Sequence, residues 1–211
     1  MIAKRIIPGL LLITFISLTV AFPFAALGAS SGPNTPDTCV SDNSNGGAEP
    51  WVNPSNAITD NGSNASTGNI TGSEFTHYLK CTDFDFSIPT DATIDGIVVD
   101  WERLSVNSAT EAKDQAVRIV KGDVVGSTDK TSATVYPTTA TIASYGSSSD
   151  KWGETWTYSD INSTTFGAAL ASQDHDAIGL PQVDYVRITV YYTEAAGGSA
   201  SQTQVQVINY F

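Results

Sequence analysis

The strict alternation of apolar and polar residues near the end of this chain limits its possible folds more than any other feature. Between residues 183 and 193, one set of side chains shares a face of an extended strand: Val186, Ile188, Val190 and Tyr192. The opposite face carries Tyr185, Arg187, Thr189 and Tyr191, because successive side chains of a strand point to opposite sides. This pattern predicts a strand in the middle of a sheet.

Shorter runs of the same alternation recur along the chain. They lie at 77–81, 84–88, 97–106 and 117–119. Each run is typical of a strand that buries one face. Within 97–106 the apolar residues change face near Arg103, which predicts a β-bulge at that point.

The remaining segments contain turn residues, weak strands and no sustained helical periodicity. Pro137 interrupts weak strands at 131–145, as is common at a sheet edge. Ser159 and Asp160 are predicted to cap one short helical turn. Many short strands without crossover helices predict an all-β fold. We expect an antiparallel β-sandwich at 29–193, jelly-roll-like, with a C-terminal extension strand.

The first residues have the layout of an export signal. Two basic residues precede an apolar stretch, and a run of small residues follows at 25–29. This order predicts a signal peptide at 1–28, cleaved after Gly28 or Ala29. The alternative is a retained membrane anchor, although the apolar stretch is near the lower length limit for spanning a bilayer. We therefore expect a secreted, extracellular or cell-surface protein with no stable membrane insertion.

The charge of the mature chain restricts its partners. Cleavage removes Lys4 and Arg5 but no acidic residue, so the formal net charge changes from −12 to −14. Nucleic acids and anionic lipids are bound through Lys and Arg, which are scarce here. The composition therefore argues against nucleic acid as a partner.

Cys39 and Cys81 are the only cysteines of the chain. An even cysteine count in an exported protein predicts a disulfide. A metal site with two cysteines needs further ligands, and only His77 and His175 are available. In the chain-entropy treatment, such a bridge stabilises the fold by about 4 kcal/mol.

The C-terminal segment is distinct from the sandwich. Residues 194–201 have the composition of a flexible linker, and residues 202–211 alternate again. The candidate assembly residues of this last strand are Val205, Val207, Ile208 and Tyr210. We expect the strand to pair with another subunit, while the alternatives are that it folds back onto its own sandwich or stays disordered.

Several runs carry a resemblance to known proteins. They are FDFSIP at 84–89, ATIDGI at 92–97, WGETWT at 152–157 with DIN at 160–162, and VDYVRITV at 183–190. These runs resemble a loosely defined group of β-sandwich domains in secreted surface proteins and phage-tail-associated proteins. The resemblance covers most of 51–193 and rests on strands and turns. It implies the fold and a role in assembly, and it implies no site residues.

No catalytic motif is present in the sequence. His77 lies inside an alternating strand and His175 lies between two aspartates, and neither accompanies a nucleophile elbow. Carboxylates two residues apart, such as Asp100 and Glu102, share the strand face opposite the apolar residues. A solvated strand face explains them better than a glycosidase pair does. We expect that the protein is not an enzyme and has no cofactor other than a structural calcium ion.

Calcium is the metal that this composition favours, because it accepts carboxylates and carbonyls with loose geometry. The candidate ligands are Asp42, Glu49, Asp174 and Asp176. The run at 42–47 lacks the terminal bidentate glutamate of an EF-hand loop.

Glycans enter the predictions in two ways. Sugars stack on flat apolar rings, and Trp152 and Trp156 are the candidate glycan-binding residues because they lie in a turn-rich stretch. Candidate N-glycosylation sequons begin at Asn61, Asn64, Asn69 and Asn162.

Two classes of function follow from these features. The first is a structural subunit that self-assembles into a surface appendage or filament by adding a strand to the next subunit. The second is a monomeric carbohydrate-binding or adhesion module. The C-terminal strand distinguishes them, because only assembly requires it.

Overall fold

The computed structural model describes residues 26–106, 112–174 and 179–194, which form two antiparallel sheets packed face to face. Sheet A has six strands, β1 (Gly28–Asn34), β3 (Trp51–Val52), β4 (Ala65–Thr67), β6 (Thr93–Ser105), β9 (Thr141–Ser147) and β11 (Pro181–Thr193). Sheet B has five strands, β2 (Thr38–Asp42), β5 (Tyr78–Thr82), β7 (Ala112–Lys121), β8 (Val124–Val125) and β10 (Gly167–Asp174). The described chain also contains one α-helix, α1 (Tyr158–Ile161), and 3₁₀ turns at Asn43–Asn45 and Pro54–Ile58.

The strand order is that of a jelly roll. Sheet A runs β3-β4-β11-β6-β9, and sheet B runs β2-β5-β10-β7-β8. From β4 to β11 the chain passes repeatedly between the two sheets, which is the double Greek-key connection of that fold. β6 pairs with β11 along one whole side. On the other side, β4 pairs with the first residues of β11 and β1 pairs with its last residues. The predicted all-β, jelly-roll-like sandwich is therefore confirmed.

The core lies between the sheets and follows the predicted alternation. The predicted face of β11 is buried, and the opposite face is more exposed at Arg187, Thr189 and Tyr191. β11 lies inside sheet A between β6 and the pair β1 and β4, as predicted. β6 contributes Ile97, Val99 and Trp101 to the same core.

The predicted bulge is on the neighbouring strand instead of at Arg103. Val183 pairs with Arg103 and Tyr185 pairs with Glu102, so the extra residue is Asp184 of β11. From Ile97 onward the side chains of β6 keep alternating, and Arg103 points inward at 3% exposure. The prediction was wrong because a buried charge changes the chemical pattern of a strand without changing the direction of its side chains.

The alternating run at 84–88 is not a strand. Phe84, Phe86 and Ile88 are buried as predicted, but they have no partner strand in the described chain. Asp83 and Asp85 have φ of 64° and 49°, in the left-handed region that is incompatible with an extended ladder. The rings of Phe84 and Phe86 instead pack near Phe166, with centroids 6.4 and 5.8 Å away.

The short helical turn is capped by a residue other than those predicted. Thr157 is the N-cap of α1, and its side chain accepts a hydrogen bond from the Asp160 amide. The Asp160 carboxylate accepts from the Thr157 amide in return, which completes a capping box.

Of the weak strands predicted at 131–145, β9 is the regular one, and it forms an edge of sheet A.

The predicted disulfide is present. Cys39 and Cys81 are direct partners in the register of β2 and β5, and their Cα atoms are 4.1 Å apart. The bridge ties the N-terminal part of the chain to sheet B. No helix in the described ranges has the length and apolar character to cross a bilayer.

Candidate functional site

Trp152 is not available as a sugar platform, contrary to the prediction. Its side chain is fully buried, and its indole N–H donates to the Ile97 carbonyl at 3.0 Å. The residue has φ of 57°, so the backbone turns there and directs the ring into the core. The turn residues around Trp152 correctly predicted a loop at this position. They did not indicate that its ring points into the core.

Trp156 is the tryptophan that reaches the surface, and it is half-buried. Its ring packs edge-to-face on Phe166 with centroids 5.4 Å apart, and Lys121 Nζ lies 5.2 Å from the ring centre. These neighbours cover part of the ring. Trp51 and Trp101 are buried, so the structure provides no cluster of exposed tryptophan rings.

The three described candidates for calcium ligation, Asp42, Glu49 and Asp174, belong to no group with metal-ligand spacing. Asp42 Oδ2 lies 2.7 Å from Lys80 Nζ, and Asp42 Oδ1 accepts from the Ser44 amide at 2.8 Å. Asp174 lies in β10 on sheet B and Asp176 lies outside the described residues. Among the described residues, the group with metal-ligand spacing is a different one, in which carboxylate oxygens of Asp60, Glu102 and Asp184 lie within 4.8 Å of one another.

This acidic triad forms around the bulge of β11. The Gly62 amide donates to both carboxylate oxygens of Asp184 at 3.1 Å, which holds the loop before β4 against sheet A. Burial raises the pKa of Glu102, and repulsion from Asp184 and Asp60 raises it further. Carboxylate oxygens arranged in this way suit calcium, whose positive charge offsets the repulsion among them. Protonation of Glu102 offsets the same repulsion without a metal ion. Nothing in the sequence pattern indicated the triad, because its members come from two strands and a loop.

The sequons differ in their accessibility. Asn61 and Asn69 are exposed, and the Asn64 side chain donates to Gln182 Oε1 at 2.6 Å. The Asn162 amide donates to the Ile88 carbonyl at 2.9 Å and accepts from the Ile88 N–H at 2.7 Å. In the folded chain the Asn162 amide is therefore already engaged.

One of the two histidines contacts a serine. Ser41 Oγ lies 3.0 Å from His77 Nδ1 and also accepts from the Trp51 amide at 2.9 Å. In the described part of the chain, no carboxylate hydrogen-bonds to His77. The contact links β2 and β3 to the residue before β5, and it lacks the orienting third group of a nucleophile triad. His175 lies outside the described residues.

A buried polar network crosses one end of the core. Arg103 Nη2 donates to the Tyr145 hydroxyl at 2.8 Å, and this hydroxyl donates to Asp114 Oδ2 at 2.6 Å. Tyr136 donates to Asp114 Oδ1 at 2.9 Å and contacts Ser172 Oγ at 2.9 Å. Burial raises the pKa of Tyr136 and of Tyr145, so both remain donors at neutral pH. The sequence feature that could have indicated this network is Arg103, a charged residue at an inward position of β6.

β9 is the edge strand with the fewest features that prevent pairing. It pairs with β6 from Ile97 to Arg103, and within the described ranges no backbone group hydrogen-bonds to its outer side between Ile142 and Gly146. It has seven residues and contains neither charge nor proline. The other edges are shorter or interrupted, since β3 and β8 have two residues each, β1 contains a proline and β2 ends at Asp42. Uncharged, unpaired edges are templates for strand addition.

The predicted assembly strand at 202–211 lies outside the described residues, as does the linker beyond Glu194. The chain leaves sheet A after β11, where the Glu194 amide donates to the Leu27 carbonyl at 3.1 Å. Thr193 pairs with Thr93, and the end of β9 at Ser147 pairs with Ile97, so β11 and β9 both end towards the start of β6. The fold and this edge define a disulfide-bonded jelly-roll domain in which the outer edge of β9 is unpaired within the described ranges. No protein-family model, curated protein or solved structure matches this chain.

Proposed function

We propose that this protein is an extracellular structural subunit that assembles into a filament or surface appendage. In this proposal, residues 202–211 of one copy add as a strand to β9 of the next copy. The observation that carries it is the edge of β9, which is long, uncharged and unpaired by any described residue.

The distribution of charge supports the proposal. The two longest uncharged stretches after residue 28 are 131–149, which contains β9, and 195–211, which contains the tail. The chain has 22 acidic and 10 basic residues, so most other surfaces of two copies repel each other. The proposed donor and acceptor are therefore the segments that approach without bringing carboxylates together.

The dimensions of the two segments also match. A ten-residue tail extends about 33 Å and the seven-residue edge about 23 Å, at roughly 3.3 Å per residue. An added strand forms main-chain hydrogen bonds along the edge, while Val205 and Val207 pack on one face. Donor and acceptor are different surfaces, so the contact is head-to-tail and propagates when the rotation does not close.

The extracellular location rests on two features. The first 28 residues have the order of an export signal. The disulfide between Cys39 and Cys81 suits an oxidising compartment. The alternative function, a monomeric adhesion module that binds sugar at Trp152, loses support because that ring is buried.

The test uses two assembly-deficient variants and their mixture. One variant ends at Thr193, and the other carries Ile142→Lys, which puts a charge on the edge at an exposed position. Val52→Lys is the matched control, because Val52 is also exposed on an edge of sheet A. Electron microscopy is expected to find filaments for the wild-type and the control. Each of the other two variants is expected to be a folded monomer.

Mixing the two monomeric variants separates exchange between copies from folding back. The truncated variant retains the edge and the Ile142→Lys variant retains the tail, so exchange predicts a one-to-one complex by light scattering. Absence of the complex means that the tail pairs within its own chain. Unfolding of the truncated variant places the tail in its own core, and filaments of the truncated variant make the tail irrelevant. Each of these three results overturns the proposal.

A further inference from the structure

Rows of paired residues cross sheet A and end at β9, where an added strand continues them. On the core side, Val186, Trp101 and Ala143 form one such row. Val99 and Tyr145 end the next row, and both are buried. Ala143 is partly buried and packs against the same core. An added strand therefore needs apolar residues at two core-side positions, opposite Ala143 and Tyr145.

The outer side of the same edge changes in character from one row to the next. Ser144 ends a polar row, because its hydroxyl donates to Asp100 Oδ1 at 2.6 Å. Arg187 Nε continues that row and lies 2.9 Å from Asp100 Oδ2. On either side of Ser144, the edge carries Ile142, which is 39% exposed, and Gly146. The outer side therefore presents an apolar, a polar and an empty position in succession.

The tail carries its residues in a matching order. In an extended strand, Val205 and Val207 share one face. The opposite face carries Gln204, Gln206 and Ile208. This second face changes from polar to apolar at Ile208, as the outer side of β9 does at one position of its edge.

We propose that the tail of one copy lies antiparallel to β9 of the next copy, with Ile208 directly opposite Ile142. This inference rests on the proposed strand addition and specifies its direction and register. Each apolar side chain of the tail then faces an apolar residue of β9, and such cross-strand pairs stabilise a sheet. The other pairs are Val207 with Ala143, Gln206 with Ser144, Val205 with Tyr145, and Gln204 with Gly146.

Other arrangements place unlike residues together. A shift by one residue turns both valines away from the core. A shift by two residues puts a polar residue, Gln206 or Asn209, opposite an apolar residue of β9. A parallel tail with both valines opposite the two core-side residues puts Gln204 opposite Ile142 and leaves Ile208 with no side chain opposite it. The antiparallel register is therefore the one that matches both faces.

Disulfide mapping in the one-to-one complex tests this register. The acceptor is the chain that ends at Thr193, with Ile142→Cys added. The donor is the full mature chain with Ile142→Lys, so that it cannot accept a tail, and with one further cysteine in the tail. Each of four donors carries that cysteine in place of a different residue: Gln204, Gln206, Ile208 or Tyr210.

The four donors are matched controls for one another, because their cysteines lie on the same face of the tail. A disulfide needs Cβ atoms about 4 Å apart. Directly opposite residues come within about 5 Å, whereas diagonal neighbours stay roughly 7–8 Å apart. After mild oxidation, non-reducing electrophoresis is expected to show a covalent dimer with Ile208→Cys and to show its loss with the other three donors.

Bridging at another position overturns the proposed register. A bridge with Gln206→Cys or Tyr210→Cys means a shifted tail, and a bridge with Gln204→Cys means a parallel one. Equal bridging at all four positions means that no register is fixed, and a complex without any bridge places the tail away from Ile142.

Light scattering of the same mixtures distinguishes a wrong register from a failure of strand addition. A wrong register leaves the one-to-one complex intact while the bridge moves or disappears. Absence of the complex from every mixture, including the mixture without added cysteines, overturns the strand addition itself and the register with it.

Discussion

The substitution Asp114→Asn is predicted to destabilise the fold strongly, because it removes the counter-charge of a buried arginine. Arg103 and Asp114 are each 3% exposed, and Arg103 Nε lies 3.6 Å from Asp114 Oδ1. Asparagine keeps the shape and one acceptor but leaves the guanidinium without its anion. Breaking one partner of a buried pair costs about 3–5 kcal/mol, so the free energy of unfolding is expected to fall by that amount.

A double-mutant cycle tests whether charge is the cause. Arg103→Met also breaks the pair, and it leaves the carboxylate buried among its remaining donors, which are the hydroxyls of Tyr136 and Tyr145 and the backbone amide of Ser132. The double variant removes both charges, so its loss is expected to be smaller than the sum of the single losses by about 2 kcal/mol. Asp123→Asn is the control, because the exposed Asp123 pairs with Lys80 at the surface and its loss is expected to cost less than about 1 kcal/mol.

Urea unfolding followed by tryptophan fluorescence measures these differences, since Trp101 and Trp152 are fully buried. The reasoning is refuted if Asp114→Asn loses no more stability than the surface control. It is equally refuted if the two single losses add without coupling. Either result means that the hydrogen bonds of the network, and not its charges, hold this end of the core together.

Four further predictions follow from the structure. Burial by itself raises the pKa of Asp42, but hydrogen bonds from its lysine partner and a serine lower it to about 2, below its usual 3.8. This carboxylate therefore contributes about 1 kcal/mol above pH 4, lost as the pH falls to about 2, and comparing wild-type with Asp42→Asn in urea across that window measures it. Replacing both Cys39 and Cys81 by serine is expected to lower the free energy of unfolding by about 4 kcal/mol, whereas an unchanged urea midpoint contradicts this. Intact mass of secreted material is expected to place the first residue at Ala29 or Ser30, and a retained leader contradicts the export signal. Assembly is expected to increase as salt is raised from about 10 to about 150 mM, since screening weakens repulsion between acidic subunits, and light scattering that falls with salt contradicts this.

The sequence predicted the parts of the fold that depend on period-two alternation. The β11 strand was found with its buried face and its central position, because a strand with one apolar face has only one stable orientation against a core. The disulfide was predicted for a similar reason, since two cysteines in an exported chain have one pairing. These features depend on local pattern or on counting.

The parts that the sequence did not predict depend on distant contacts. Arg103 breaks the apolar pattern of β6 because Asp114, on another strand, neutralises it inside the core. Trp152 was taken for an exposed ring because the positive φ that directs it inward has no signal in residue type. The acidic triad of Asp60, Glu102 and Asp184 joins a loop to two strands, so no single segment of sequence indicated it.

Charge distribution connects the fold to the proposed assembly. A sandwich with open edges risks uncontrolled pairing, and proteins prevent it with short edge strands, charge or proline. Here three of the four outermost strands in the sheet orders carry such protection, in the two-residue β3 and β8 and in β2 with its terminal Asp42. The chain has 22 acidic residues, yet none of them lies in 131–149, the stretch that contains β9. An edge left uncharged in a chain that protects its other edges is consistent with one strand kept available for one partner.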